Sequence, residues 1–380
     1  MDIDSEWENF MCGGEMDLNI TQHDSYSQHE HEPMYIDQHG ISCNRENITT
    51  PIPGDIYIST KSKIAYLNKI IPLRETFWEL PIILYTKPAN GIVKKQMKFN
   101  STSQEEVDCI KEKLVNEYYF NEQVLTSVTT PSGLKNWFKD VRKISIGISK
   151  KDILSYRSKQ KCAFYNCFVM ILRVLIEDIN DPEYGSFHEF HVKIFNTGKV
   201  EIPGIRSDYH LQVVLDNILI HLRPVLGEDI DYTGKCDTVL INSNFNCGFF
   251  IHRENLFDIL KNKYNMQCIY DPCSYPGIQC KFYYDKTKKI QTGVREHVNV
   301  EKNESIVVVS FMIFRTGSIL IVGMCDELVL EEVYIFIKNM LIIEFPKVYH
   351  SIVPIEDMQP KIKKMSIRKK IIVVDTPICH

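Results

Sequence analysis

No stretch of the 380-residue sequence approaches the roughly 18 uncharged apolar residues of a membrane-spanning helix, so none is expected. Twelve cysteines contain no C-x-x-C pair, which removes the spacing of common zinc sites and dithiol redox motifs. The N-terminus opens on acidic residues with no basic-then-apolar signal. That argues against secretion and predicts reduced thiols in a cytosolic or nuclear compartment. No Gly-x-Ser-x-Gly, phosphate loop, His-Glu-x-x-His, glycine-rich helix hairpin or carboxylate cluster occurs. An enzyme is therefore disfavoured, and no cofactor or resident metal is expected. His23, His29, His31 and His39 repeat no ligand spacing and read as part of a solvated tail. Cys247, Cys268, Cys273 and Cys280 could be grouped as zinc ligands, but their spacing favours free thiols.

Hydrophobic residues make up 44% of the chain and charged residues 24%, a globular balance with enough apolar surface for two or three domains. The net charge of −5 hides an asymmetry. Residues 1–50 hold eleven acidic side chains against Arg45 alone, a charge of −10, which leaves +5 on the rest. A basic remainder suits a polyanionic partner.

The most informative stretch is Ser310-Phe-Met-Ile-Phe-Arg-Thr-Gly-Ser-Ile-Leu-Ile-Val-Gly323. Two apolar runs flank Thr316-Gly317, and glycine supplies the positive φ of a tight hairpin turn. Alternation puts Phe311, Ile313, Ile319 and Ile321 on one face, Met312, Phe314, Leu320 and Val322 on the other. The single amphipathic helix that follows can cover only one face, so the other wants a partner. A second copy begins at Val192-Lys-Ile-Phe-Asn-Thr-Gly and ends at Gly204; Gly198 precedes Gly317 by 119 residues. Cys162-Ala-Phe-Tyr parallels Cys280-Lys-Phe-Tyr, and Arg74-Glu-Thr-Phe-Trp-Glu-Leu80 echoes Arg253-Glu-Asn-Leu-Phe-Asp-Ile259. Three matched blocks in one order predict an internal duplication.

Along the chain, an acidic disordered tail over 1–50 gives way at Pro51 and Pro53 to a first unit over 51–226. In it, Ile56–Leu67 reads as a strand, Leu73–Leu84 as a helix and Asp208–Leu222 as an amphipathic helix. The second unit, 236–345, repeats the plan with a strand at Thr238–Phe250, a helix at Arg253–Tyr264, a strand at Ile278–Asp285 and a closing helix at Glu327–Ile343. Each unit is thus an α+β arrangement with an antiparallel sheet covered on one face. An insert at about 87–160 enlarges the first. Within it, Lys135–Lys161 holds nine Lys/Arg against two Asp, interleaved with Trp137, Phe138 and Tyr156. This strip suits phosphates and stacked bases, or simply a solvated face. A basic tail, 346–380, concentrates Lys361, Lys363, Lys364, Arg368, Lys369 and Lys370, fitting phosphate contact, nuclear import or solvation.

The segment Tyr275-Pro-Gly-Ile278, the hairpin and the helix from Glu327 resemble the TATA-box-binding protein family, whose hairpins carry Ile-Phe-x-Ser-Gly-Lys and whose preceding loop carries Phe-Pro-Gly. The resemblance covers roughly 55–86 and 160–345; the insert and tails look like divergent members from large cytoplasmic DNA viruses. It implies an internally duplicated saddle, one antiparallel sheet with helices on the convex face, whose concave face enters the minor groove and bends promoter DNA. Phe195 and Phe314 would be wedges, one per half. Tyr275 would stand for the second half's other wedge, with Arg157 or Tyr156 in the first. Met312, Leu320, Val322, Asn242, Lys199 and Arg315 would supply further DNA contacts. Implied partners are A·T-rich double-stranded DNA, a transcription factor IIB-like protein and RNA polymerase, with no membrane. The implied location is the nucleus or a cytoplasmic viral factory, with packaging in the virion a further option.

The sequence departs from the family in several places. The asparagine positions of the first strands fall near Ile56 and Leu240, with Asn242 and Asn244 close by. The threonine before the last glycine is Pro203 or Val322. Lys193 and Glu201 stand where apolar residues belong, and a carboxylate facing DNA is unfavourable. These departures favour a rival reading, a protein-docking platform of the same fold in a transcription complex. Deleting residues 1–50 should raise affinity for duplex DNA at low salt, with the gain shrinking as salt rises, because the acidic segment competes for basic surface. A salt series of binding isotherms checks this, and an unchanged affinity at low salt would count against it.

Overall fold

The computed structural model describes residues 49–129, 138–154, 166–179, 181, 184–295 and 305–350. Apart from residues 49–50 and 346–350, where the last helix ends rather than a tail begins, both expected tails lie outside the described residues, as do Lys135, Trp137, Tyr156, Arg157 and the tail histidines. The described residues divide into two compact units, one within 61–239 and the other made of 49–60 and 240–350. Two strands, β1 (Tyr57–Leu67) and β8 (Tyr232–Asn246), therefore each contribute residues to both units.

In the first unit, helix α1 (Leu73–Glu79) follows β1, then β2 (Gly91–Ser101), α2 (Gln104–Val115), β3 (Phe120–Thr129), β4 (Phe138–Gly147) and a short α3 (Lys150–Leu154). Strands β5 (Cys167–Leu175), β6 (Phe187–Phe195) and β7 (Lys199–Ile205) lead into α4 (Asp208–Leu226). The strands lie in the order β3-β4-β2-β5-β6-β7-β1, antiparallel throughout. Helix α1 is shorter than its apolar pattern suggests. Leu80 precedes Pro81 and takes an extended ψ of 120°, as the proline ring requires of its predecessor. Helix α4 starts where the Ser207 side chain accepts the His210 amide and stops beyond Pro224 at Gly227, φ 97°. Phe77, Ile110, Leu114, Leu215 and Ile218 from the helices bury against Phe168, Met170, Leu172, Val192, Ile194, Val200 and Ile202.

The second unit takes β8 from Leu240, then α5 (Arg253–Asp258) with a π-helical turn (Ile259–Lys263), β9 (Gln267–Ile269), β10 (Ile278–Asp285), β11 (Ile306–Ile313), β12 (Ser318–Gly323) and α6 (Glu327–Val348). Their order is β8-β12-β11-β10-β9, again antiparallel. Asp326 caps α6 by accepting the Val329 amide at 2.8 Å. The helix runs to Val348, past the expected end at Ile343, because Phe345 and Val348 still reach the core. The expected face division of the hairpin holds on the helix side: Phe311, Ile313, Ile319 and Ile321 join Val333, Ile337, Leu341 and Phe345 in one core.

Corresponding backbone contacts recur in the two units. Gly198 and Gly317 have φ of 81° and 79°, and each amide closes its turn on the phenylalanine three residues earlier at 3.0 Å. The Gly198 carbonyl accepts Leu67 N–H at 2.8 Å, and the Gly317 carbonyl accepts Cys247 N–H at 2.9 Å. Two residues back, the Asn196 and Arg315 carbonyls accept Ile71 and Ile251 N–H, both at 2.8 Å. Strand β2 borders β5 as β9 borders β10, although the sequence placed residues 87–160 in an insert.

A Cβ on Gly317 would sit 2.2 Å from the Phe249 carbonyl oxygen, and one on Gly198 would sit 2.4 Å from that of Lys69. At Gly204, φ 82°, nothing lies within 4 Å. Gly198→Ala and Gly317→Ala should each destabilise by roughly 2–4 kcal/mol, combining positive φ with overlap against backbone, and Gly204→Ala by about 1 kcal/mol. Urea melts check the ranking, which equal losses at all three sites would overturn.

Candidate functional site

The site is built on the sheet faces turned away from the helices. In the second unit the register aligns two rows. Asn244 stands opposite Leu320, Leu320 opposite Met312, Met312 opposite Gln279, and Gln279 opposite Ile269. The adjacent row is Asn242, Val322, Ser310, Lys281 and Gln267. Directly opposed residues share a face, so Asn242, Val322, Met312 and Leu320 lie together as the sequence expects. None belongs to the helix-packed core. The expectation of a bare apolar face needs correction, however. Met312 is 1% exposed, Val322 7% and Asn242 6%, while Leu320 and Phe314 are half-buried. Two amides and Gln279 make the surface mixed rather than purely apolar.

Asn242 and Asn244 are steadied from β1. Asn242 Nδ2 donates to Thr60 Oγ1 at 3.2 Å, and Asn244 Nδ2 donates to Ser59 Oγ at 2.8 Å. The Asn242 Oδ1 is buried without a hydrogen-bond partner, a costly state that leaves its acceptor capacity unspent. Asn242, two residues beyond Leu240, is the residue opposite Val322.

Tyr275 and Phe314, far apart in sequence, come together with ring centroids 5.9 Å apart and planes at 59°. Gly277 makes this possible: a Cβ there would stand 3.0 Å from both rings. The loop before it is tied by Asp271, whose carbonyl accepts Tyr275 N–H at 2.9 Å and whose carboxylate accepts Cys273 N–H and the Ser274 hydroxyl. Arg253 at the start of α5 donates to the Pro276 carbonyl and lies over the Tyr270 ring. Burial pushes the Tyr275 phenol above its ordinary range, so the ring enters any contact neutral. Arg315, beside Phe314, is half-buried in the turn, its carbonyl fixed by Ile251.

The first unit presents a different row at matching positions of its strands: Ile64, Glu201, Lys193, Val169 and Gln96. Lys193 and Glu201, expected together on this face, stand directly opposite one another, and Lys193 Nζ donates to Glu201 Oε1 at 2.8 Å, so the two charges cancel locally. Half-buried Phe195 carries the Lys199 ammonium over its ring at 5.7 Å, a cation–π contact that partly occupies the aromatic face. Pro203 is half-buried in β7.

In the described part of the basic strip, Arg142 pairs with Asp140 and Glu122, and Asp152 pairs with Lys94 of β2. Among the described residues no group of three or more His, Cys, Asp or Glu is placed to hold a metal ion. Nor is any described helix long and apolar enough to cross a membrane. Sequence reasoning missed Gln279, Asn244 as a face residue and the Lys193–Glu201 pair. Only the strand register, already implicit in the hairpin turns, could have pointed to them.

A curated relative supplies an independent comparison. A TATA-box-binding protein-like protein of Acanthamoeba polyphaga mimivirus is 25% identical over 234 residues, 58% of this chain and 59% of that protein. The chain is similar to a viral TATA-box-binding protein-like protein. It thus spans about 59% of that relative's length. No protein-family model matches. Among solved structures, Methanococcus jannaschii TBP aligns over 77% of this chain and 99% of its own at 15% identity, with a TM-score of 0.35, too low to argue from.

Gly277→Val should push Tyr275 and Phe314 apart, since the new methyls would occupy the space between the rings. Near-UV circular dichroism should lose aromatic intensity with far-UV signal kept; an unchanged near-UV spectrum would show that the rings do not depend on Gly277.

Proposed function

We propose that the chain is a DNA-binding transcription initiation factor in which two copies of one α+β unit, 51–226 and 236–345, act together as a saddle on duplex DNA. The observation that carries this reading is the residue set on the second unit's sheet face turned away from the helices. Asn242 and Asn244 stand beside Val322, Leu320 and Met312, next to the Tyr275–Phe314 pair. Minor-groove binding needs amides that meet base acceptors, apolar side chains that fill the groove and aromatic wedges that enter unstacked steps. Unstacking costs a few kcal/mol per step and is offset by the surface that a bent duplex can cover. Asn242 Oδ1 would find a partner in a guanine amino group or, with the amide turned, expose donors to A·T acceptors.

The matching turns around Gly198 and Gly317 support the duplication. With β2 in the place of β9, the additional material of the first unit begins after Ser101 rather than at residue 87. Lys199 and Arg315 then flank the two hairpins as phosphate contacts, and Phe195 and Phe314 are wedges of unequal strength. In this reading the protein has no catalytic role. A transcription factor IIB-like protein and RNA polymerase are its further partners, at a nuclear or cytoplasmic viral site of transcription. A docking platform that binds a protein segment is favoured by one observation, the Lys193–Glu201 ion pair on the first face, which offers a peptide polar partners.

Phe314→Ala should cost roughly 1–3 kcal/mol of DNA binding, about one to two decades in Kd. Phe195→Ala should cost less, because Lys199 and the ion pair already limit its approach. Glu201→Val should strengthen binding, since it leaves Lys193 as an uncompensated cation near phosphate. Fluorescence anisotropy on one A·T-rich duplex at fixed salt, with melts to confirm folding, measures all three. Equal losses for the two phenylalanines would defeat the asymmetric saddle. Three variants binding as wild type would move the assignment to the docking platform.

A further inference from the structure

Cys268 and Cys280 stand directly opposite one another on the antiparallel strands β9 and β10. Opposed residues in such a pair have Cα atoms about 4.5 or 5.5 Å apart, and both values lie within the roughly 4.4–6.8 Å that a disulfide spans. Directly opposed side chains leave the same face of a sheet, so both thiols stand on the helix-covered side, next to one another. Their surroundings differ. Cys280 is sealed in the helix-covered core, whereas Cys268 is half-exposed on the edge strand. The Cys280 hydrogen bond, aided by the nearby Lys261 ammonium, holds the Cys268 thiol below its ordinary range. Burial, with the same hydrogen bond, pushes Cys280 well above its own.

We propose that Cys268 and Cys280 form a reversible redox dithiol whose oxidant is a peroxide and whose product is a cross-strand disulfide. The accessible Cys268 thiolate attacks one peroxide oxygen, the O–O bond breaks, and the departing oxygen leaves as water after taking up a proton. The Cys268 sulfenic acid is then attacked by the Cys280 sulfur. The S–S bond forms, the S–O bond breaks, and the hydroxyl leaves as a second water with the Cys280 proton. Two thiols and one peroxide thus give one disulfide and two waters, and a small dithiol reductant reverses the change.

The consequence is local. Residues 269–279, between the two cysteines, contain the Asp271 turn, Tyr275 and Gly277, and reach the three-residue strand β9 at one end. A disulfide ties both ends of this loop together and narrows its range of conformations. Resting on the DNA-binding reading above, oxidation would order the Tyr275 loop before contact and tighten duplex binding by about threefold to tenfold.

The test treats the full chain with hydrogen peroxide and maps peptides under non-reducing conditions. The expected product is a Cys268–Cys280 linked peptide, lost on dithiothreitol treatment. Hydrogen exchange at 269–279 should slow by about tenfold in the oxidised form. Cys268→Ser, chosen because it spares the buried partner, should show neither change. Recovery of Cys268 as sulfinic acid with Cys280 still free would overturn the proposal, as would a link to the exposed Cys273 instead. A chain that forms the bond and slows exchange but binds no duplex in either redox state would support the dithiol and sink the DNA-binding reading.

Discussion

The fold depends on one steric constraint, the closed space behind the hairpin glycines. Gly317 can hold its positive φ only because it has no Cβ, and the Phe249 carbonyl fills the place where that atom would go. With the turn pinned, the Gly317 and Arg315 carbonyls bind the backbone leading into α5. The register of β11 against β12, and of β12 against β8, follows from that anchor. A one-residue slip would turn Phe311 and Ile321 out of the core and Met312 and Leu320 into it. Gly198 imposes the same order on the first unit through Lys69, Leu67 and Ile71.

Once register is set, the character of each open face is decided by single residues. Leu320 and Met312 face one another in the second unit, while Glu201 and Lys193 do so in the first. The ion pair is partly exposed, so solvent screens it and it adds little to stability. Its importance is to surface chemistry, because it replaces apolar contact with a polar, locally neutral patch. The two units therefore keep one scaffold and offer unlike surfaces.

Aromatic residues were used in two ways. Phe168, Phe190, Phe282 and Phe311 are sealed in the cores and hold helices to sheets. Tyr275, Phe195 and Phe314 stay half-buried at hairpin or loop ends, away from the helices. An aromatic ring kept near solvent at a rigid turn retains the area and geometry for stacking on a partner. The loop holding Tyr275 also lies between the paired cysteines, so the same short segment joins the aromatic pair to a thiol pair.

By itself the sequence determined the turns, the helix-facing side of the hairpin and the α+β plan, because glycine spacing and alternating hydrophobicity are local signals. Ile278–Asp285 and the start of α6 at Glu327 were legible to the residue. Strands β2 and β9 were not: β9 is three residues long, and the alternation of β2 is blurred by Lys95, whose ammonium reaches the Leu80 carbonyl inside the core. The tertiary structure alone decided which polar residues share a face. Asn242 gained Val322 as its neighbour, Tyr275 gained Phe314, and Cys268 gained Cys280. Each of these pairings joins segments that no tight hairpin turn links, and register between such segments is set by the assembled sheet rather than by a local pattern along the chain.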